Sequence, residues 1–112
     1  MVTNPQTSRR AERRHAPRYP LDAKLEMEWG SETLRGEVRD ISASGMFVSL
    51  ADPLWLGARF AARLVLDEPL RMECSVRRIE PGRGMGLIFA VQEDESKSRI
   101  ASLLGSLAGN SR

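Results

Sequence analysis

Leu21-Asp22-Ala23-Lys24-Leu25-Glu26-Met27-Glu28-Trp29 alternates without a fault, with five apolar residues at odd positions and four charged residues at even ones. A period of two sends successive side chains to opposite faces of a strand, so this stretch is a half-buried β-strand. Gly30-Ser31 closes it with turn chemistry. Ahead of it, Pro17 and Pro20 hold the chain extended, because each ring fixes its own φ and keeps the preceding residue out of the helical region.

The same period continues downstream. Thr33 to Arg39 places Leu34, Gly36 and Val38 inside and Arg35, Glu37 and Arg39 outside. Asp40-Ile41-Ser42-Ala43-Ser44-Gly45 reads as a turn, and Met46 to Leu50 as a short apolar strand. Asp52-Pro53 and Gly57 mark a connecting loop around Leu54, Trp55 and Leu56. Phe60, Ala62, Leu64 and Leu66 then alternate with Arg59, Arg63 and Val65, and Leu70, Met72, Cys74 and Val76 with Arg71, Glu73, Ser75 and Arg77. Pro81-Gly82-Arg83-Gly84 is a turn by composition. Met85, Leu87, Phe89 and Val91 keep a last strand in phase.

The period changes once. From about Gln92, the residues Ile100, Leu103, Leu104 and Leu107 follow i, i+3, i+4, i+7 spacing, one face of a helix. Glu93, Asp94 and Glu95 suit its N-terminal dipole, and Gly109 fits just past its end. The prediction is a mainly β fold, a six-stranded antiparallel β-barrel followed by a C-terminal α-helix. Closure of the barrel removes exposed strand edges. Residues 1–12 lack apolar periodicity and are expected to form a flexible, disordered basic N-terminal arm; 13–108 form the barrel domain with its helix, and 109–112 a tail.

The chain has 112 residues, 41% hydrophobic and 29% charged, the size and balance of one soluble domain. No run approaches the roughly 20 apolar residues of a membrane span, so no membrane insertion is expected. The N-terminal arginines are not followed by an apolar segment, which argues against a secretory signal. Cys74 is the single cysteine, so there is no internal disulfide and no Cys/His set for zinc. A cytoplasmic location is the economical expectation. The formal charge of +2 conceals an asymmetry: residues 1–19 carry five arginines against Glu12, while 20–112 carry 12 basic and 14 acidic groups. The basic character belongs to the arm, which should attract an anionic partner.

Two clusters carry the chemistry. Arg13-Arg14-His15-Ala16-Pro17-Arg18 concentrates fixed positive charge, and Asp40 to Gly45 offers a carboxylate, hydroxyls and a glycine. Arginine forks match phosphates and purine edges. A carboxylate accepts hydrogen bonds from the N1–H and exocyclic amine of guanine. The pair describes a receptor for a guanine nucleotide with exposed phosphates. Each element also has a plainer use: Asp-x-Ser is common in tight turns, and a bend alone can require Gly45. Catalysis finds little support. His15 is the single histidine, and no P-loop, dinucleotide fingerprint or metal motif is present, so neither catalytic nor metal-binding residues are expected. Gly82 to Gly86 has a phosphate-loop composition but joins two strands, as a hairpin turn does. A nucleic-acid track is disfavoured, because aromatics make up 5% and the barrel body is not basic.

Arg14-x-x-x-Arg18 followed by Asp40-x-Ser42-x-x-Gly45 resembles the RxxxR and (D/N)xSxxG motifs of PilZ domains, bacterial receptors for cyclic di-GMP. The resemblance extends through Pro53 to Gly57 and Gly84 to Phe89, and covers residues 9–108. It implies cyclic di-GMP as the ligand rather than a cofactor. Arg14 and Arg18 would hold phosphates and stack on guanine, Asp40 would accept from the guanine edge, Ser42 would bond the ligand, and Gly45 would shape the loop. In this family an arginine just before the first motif arginine, here Arg13, accompanies an intercalated pair of nucleotides. The resemblance further implies that ligand orders the arm and that a downstream protein effector reads the result. A PilZ-like adaptor that works without nucleotide, and a small nucleic-acid-binding barrel, stand as alternatives.

Overall fold

The computed structural model describes residues 17–90 and 94–110. The strands are β1 (Tyr19–Trp29), β2 (Glu32–Ile41), β3 (Gly45–Ser49), β4 (Arg59–Val65), β5 (Leu70–Glu80) and β6 (Gly84–Phe89), and helix α1 (Asp94–Asn110) follows. Neighbouring strands run in the order β1-β2-β3-β6-β5-β4, and β4 returns to pair with β1, so the sheet is a closed barrel. All six pairings are antiparallel. This is the six-stranded barrel with a C-terminal helix that the alternation predicts; the N-terminal arm lies outside the described residues.

The interior is filled by the inward half of each alternation. Leu25, Met27, Val38, Met46, Leu64 and Met85 have no accessible surface. β4 shows the pattern most cleanly: Phe60, Ala62 and Leu64 are buried while Arg59, Ala61, Arg63 and Val65 are exposed. α1 packs on β1 and β5, placing Ile100 in the core and Leu103, Leu104 and Leu107 half-buried against it. Arg99 fastens the helix to the β4–β5 turn, donating from Nη1 to the Pro69 carbonyl at 2.9 Å and from Nη2 to the Glu68 carbonyl at 2.8 Å. Among the described residues no helix is long and apolar enough to cross a membrane.

Several boundaries differ from the sequence reading. β2 continues through Asp40 and Ile41 and β3 begins at Gly45, so the turn shrinks to the three residues between these strands. The strand persists because Ile41 returns to the core after two consecutive polar residues, Arg39 and Asp40. β5 likewise continues to Glu80, with Ile79 packed against the core. At the far end α1 runs through Gly109 to Asn110, since an exposed glycine with open space around it can hold helical angles at a cost of about 1 kcal/mol. Val91, placed in phase with the last strand, lies outside the described residues.

Cys74 faces the barrel interior, where burial, aided by the nearby Glu73 carboxylate, pushes the thiol up to about 12. The native state therefore holds its proton where the unfolded chain, titrating near 9.0, releases it. The thiol contribution to stability is intact below pH 9.0 and declines as pH rises toward about 12. Cys74 is expected to be inert to Ellman's reagent at pH 8 and to react fully once urea unfolds the chain. Rapid labelling of the native protein would contradict its burial.

Candidate functional site

Two of the strands carry one residue more than their neighbours can match. Val38 opposes Val48 and Ile41 opposes Met46, so Arg39 and Asp40 together face the single residue Phe47. On the other side, Val76 opposes Leu87 and Ile79 opposes Met85, so Arg77 and Arg78 together face Gly86. Each is a β-bulge, which restores the core phase by turning two polar residues outward in succession. Because Phe47 also pairs with Gly86, the bulges meet in one row across four strands: Asp40, Phe47, Gly86, Arg78. Pro20 of β1 extends the row beyond Asp40. Pro20 lacks an N–H, and its strand is irregular between Pro20 and Ala23, where a ladder bond is not required.

Phe47 is the floor of this row. Its position faces away from the core, yet it is only 8% exposed, because guanidinium groups cover it. The Arg78 Cζ lies 6.0 Å and the Arg83 Cζ 5.9 Å from the ring centroid. Gly86 makes room for this: a Cβ there would sit 3.6 Å from the Arg78 Cβ and 3.7 Å from its Cζ, so the arginine lies across the glycine. Glu80 bridges both cations, 3.0 Å from Arg78 Nη2 and 2.9 Å from Arg83 Nη1. At the other end of the row Arg18 holds Asp40, with Nε at 2.9 Å and Nη2 at 2.7 Å, both on Oδ1. The resulting shallow cavity of about 450 Å³ is lined by Arg18, Arg39, Arg78 and Arg83 against Asp40 and Glu80, an excess of positive charge over an aromatic floor. Such a surface suits an anion with a flat aromatic group.

The residues singled out from sequence fare differently. Arg18 and Asp40 are brought into direct contact across 22 positions. Ser42 is adjacent but turned into its own loop: it is 1% exposed, its Oγ lies 3.3 Å from the Ser44 Oγ, and it accepts from the Ser44 N–H at 3.3 Å. Gly45 does not have a positive φ. It is required by close approach, since a Cβ there would fall 1.9 Å from the Leu87 carbonyl oxygen. Arg13 and Arg14 lie outside the described residues. Sequence reasoning missed Phe47, Arg78, Glu80 and Arg83. The available signal was a polar doublet between apolar residues, Val38-Arg39-Asp40-Ile41 and Val76-Arg77-Arg78-Ile79, which breaks strict alternation twice.

A larger groove of about 710 Å³ lies outside β1, β4 and β5. It has three carboxylates, Glu26, Glu28 and Glu73, against Arg63 and Arg71, and no aromatic floor. Its charge is wrong for a phosphate.

The sequence matches the PilZ domain family over residues 12–106, most of its length, and the chain belongs to that family. Solved structures agree in fold. The PilZ domain with c-di-GMP of YcgR from Escherichia coli matches with a TM-score of 0.74 at 17% identity, over 89% of this chain and 95% of that one. The PilZ domain of CeSA from a cellulose-synthesizing bacterium matches with a TM-score of 0.66 at 26% identity, over 82% and 98%. The Bacillus subtilis inhibitor of motility, MotI/DgrA, matches with a TM-score of 0.74 at 24% identity, over 89% of this chain and 53% of that one. A comparison with curated proteins returned no significant match.

The two glycines flanking this surface make a test of what each one does. Gly45→Ala forces the β3–β6 backbones apart and is expected to cost about 1–3 kcal/mol in urea unfolding. Gly86→Ala adds a methyl at ordinary contact distance and should change stability by less than about 0.5 kcal/mol. Equal effects would contradict the close approach assigned to Gly45.

Proposed function

We propose that this PilZ protein is a cytoplasmic receptor for cyclic di-GMP, which binds the nucleotide and returns it unchanged. The observation that carries the reading is the Arg18–Asp40 pair standing beside the cation-covered ring of Phe47 on a PilZ barrel. Both Arg18 nitrogens engage Oδ1, which leaves Oδ2 open, among the described residues, to the N–H donors of a guanine edge. The pair is exposed, and such pairs contribute at most about 1 kcal/mol, so a ligand displaces one partner at little cost. The solved YcgR PilZ domain with c-di-GMP supports the choice of ligand.

Arg14 joins Arg18 on the phosphates and guanine faces, Ser42 bonds the ligand after its hydroxyl rotates out of the turn, and Gly45 shapes the approach of β3. Arg13 neutralises the added phosphates of an intercalated pair. The segment carrying Arg13 and Arg14 becomes ordered over the ligand, and a downstream protein reads the new surface. Ordering a dozen residues costs on the order of 1–2 kcal/mol each for the backbone, which stacking and charge-assisted bonds must exceed. A second reading, a nucleotide-independent adaptor, is favoured by the exposed Trp55 and Leu56 beside Trp29, at the other end of β1 from Pro20.

Calorimetry with cyclic di-GMP separates the two. Binding at about micromolar Kd or tighter is expected for the wild type, with two nucleotides per chain. Arg14→Ala and Asp40→Ala are each expected to weaken it on the order of tenfold or more. A stoichiometry of one removes the role given to Arg13. No binding by the wild type leaves the adaptor.

A further inference from the structure

Arg78, Arg83 and Glu80 belong to neither sequence motif, yet they are packed over the same aromatic floor. The bulge at Arg77 is what turns Arg78 and Glu80 outward; strict alternation from Val76 would have pointed both into the core. Two guanidinium groups then share one ring and one carboxylate, although like charges at this separation repel. Glu80 offsets that repulsion. The arrangement carries a net positive charge, its arginine side chains remain 62% and 75% exposed, and Glu80 is the counter-ion the two share.

We infer that Arg78 and Arg83 form a second anion subsite beside the Arg18–Asp40 pair, and that Glu80 occupies it until a ligand phosphodiester takes its place. The inference rests on the receptor reading above. Two exposed ion pairs to Glu80 are individually weak, whereas a phosphodiester can accept forked N–H bonds from both arginines while its base lies against their planar faces. Displacing Glu80 does not uncover Phe47, because the guanidinium groups stay over the ring and exchange only their counter-ion. The carboxylate turns outward to water, 28% of its side chain being exposed already. Glu80 is thus a tethered competitor that lowers affinity, which is the opposite sign from a residue that merely positions the arginines.

Titration of cyclic di-GMP into the full chain, with Glu80→Gln, Arg78→Ala, Arg78→Ala/Glu80→Gln and Arg18→Ala beside the wild type, tests this. All substitutions are on the outer face, and circular dichroism with thermal melting establishes that each variant folds. Glu80→Gln is expected to bind about fivefold tighter, the worth of an exposed ion pair removed from competition. Arg78→Ala is expected to bind on the order of tenfold weaker, and the double variant should lose the gain. Affinity of Glu80→Gln should also fall more steeply with salt, because solution anions replace the tethered one. If the wild type binds, Arg18→Ala abolishes binding, and Glu80→Gln binds equally or more weakly, the subsite is overturned and the receptor reading stands. If the wild type does not bind, the receptor reading falls and takes the subsite with it.

Discussion

A closed ring of six strands has little interior to spare, and that constraint governs the rest of the molecule. β1 is bonded on both sides, to β2 and to β4, so no strand can slide to relieve a misplaced side chain. Any polar residue that arrives out of phase must be extruded locally. Extrusion at Arg39 and at Arg77 is what creates the cationic face, because the two bulges meet across the β3–β6 pair. The cationic face and the core are two results of one packing requirement.

Much of the architecture was legible in the chain. β1, β4 and the first half of β5 alternate so regularly that burial follows residue by residue, and the change of period at Ile100 announces the helix. The Arg18–Asp40 half of the site was legible because its residues fall in recognisable spacings. The Phe47 half was not. Phe47 sits between two buried neighbours, Met46 and Val48, and a short apolar strand gives no indication that its central ring faces outward. Which side chains meet above it depends on register across three other strands, and register is set by bulges whose sequence mark is a single extra polar residue. Arg83 illustrates the same limit, since it belongs to a hairpin turn as its composition says, yet that turn delivers its guanidinium to the ring.

The electrostatics of the face are those of a surface held ready rather than locked. Arg18 with Asp40 and Arg78 and Arg83 with Glu80 each satisfy opposite charges at modest stabilisation, in water and within reach of screening ions. The pairs keep the side chains gathered, which already restricts part of their rotamer freedom. The buried ring below them fixes the plane over which they gather.

The two glycines that bracket β3 give the platform a mechanical character. At Gly45 a Cβ would meet the Leu87 carbonyl at 1.9 Å, and at Gly84 it would meet the Val48 carbonyl at 2.0 Å. The β3 and β6 backbones therefore lie too close, at both ends of their overlap, to admit a side chain between them. A side chain at either position would pry the two strands apart and disturb the Phe47–Gly86 pairing between them. On the receptor reading proposed above, a signal from this face would leave as a change of outline at the surface, in the manner of a key newly cut.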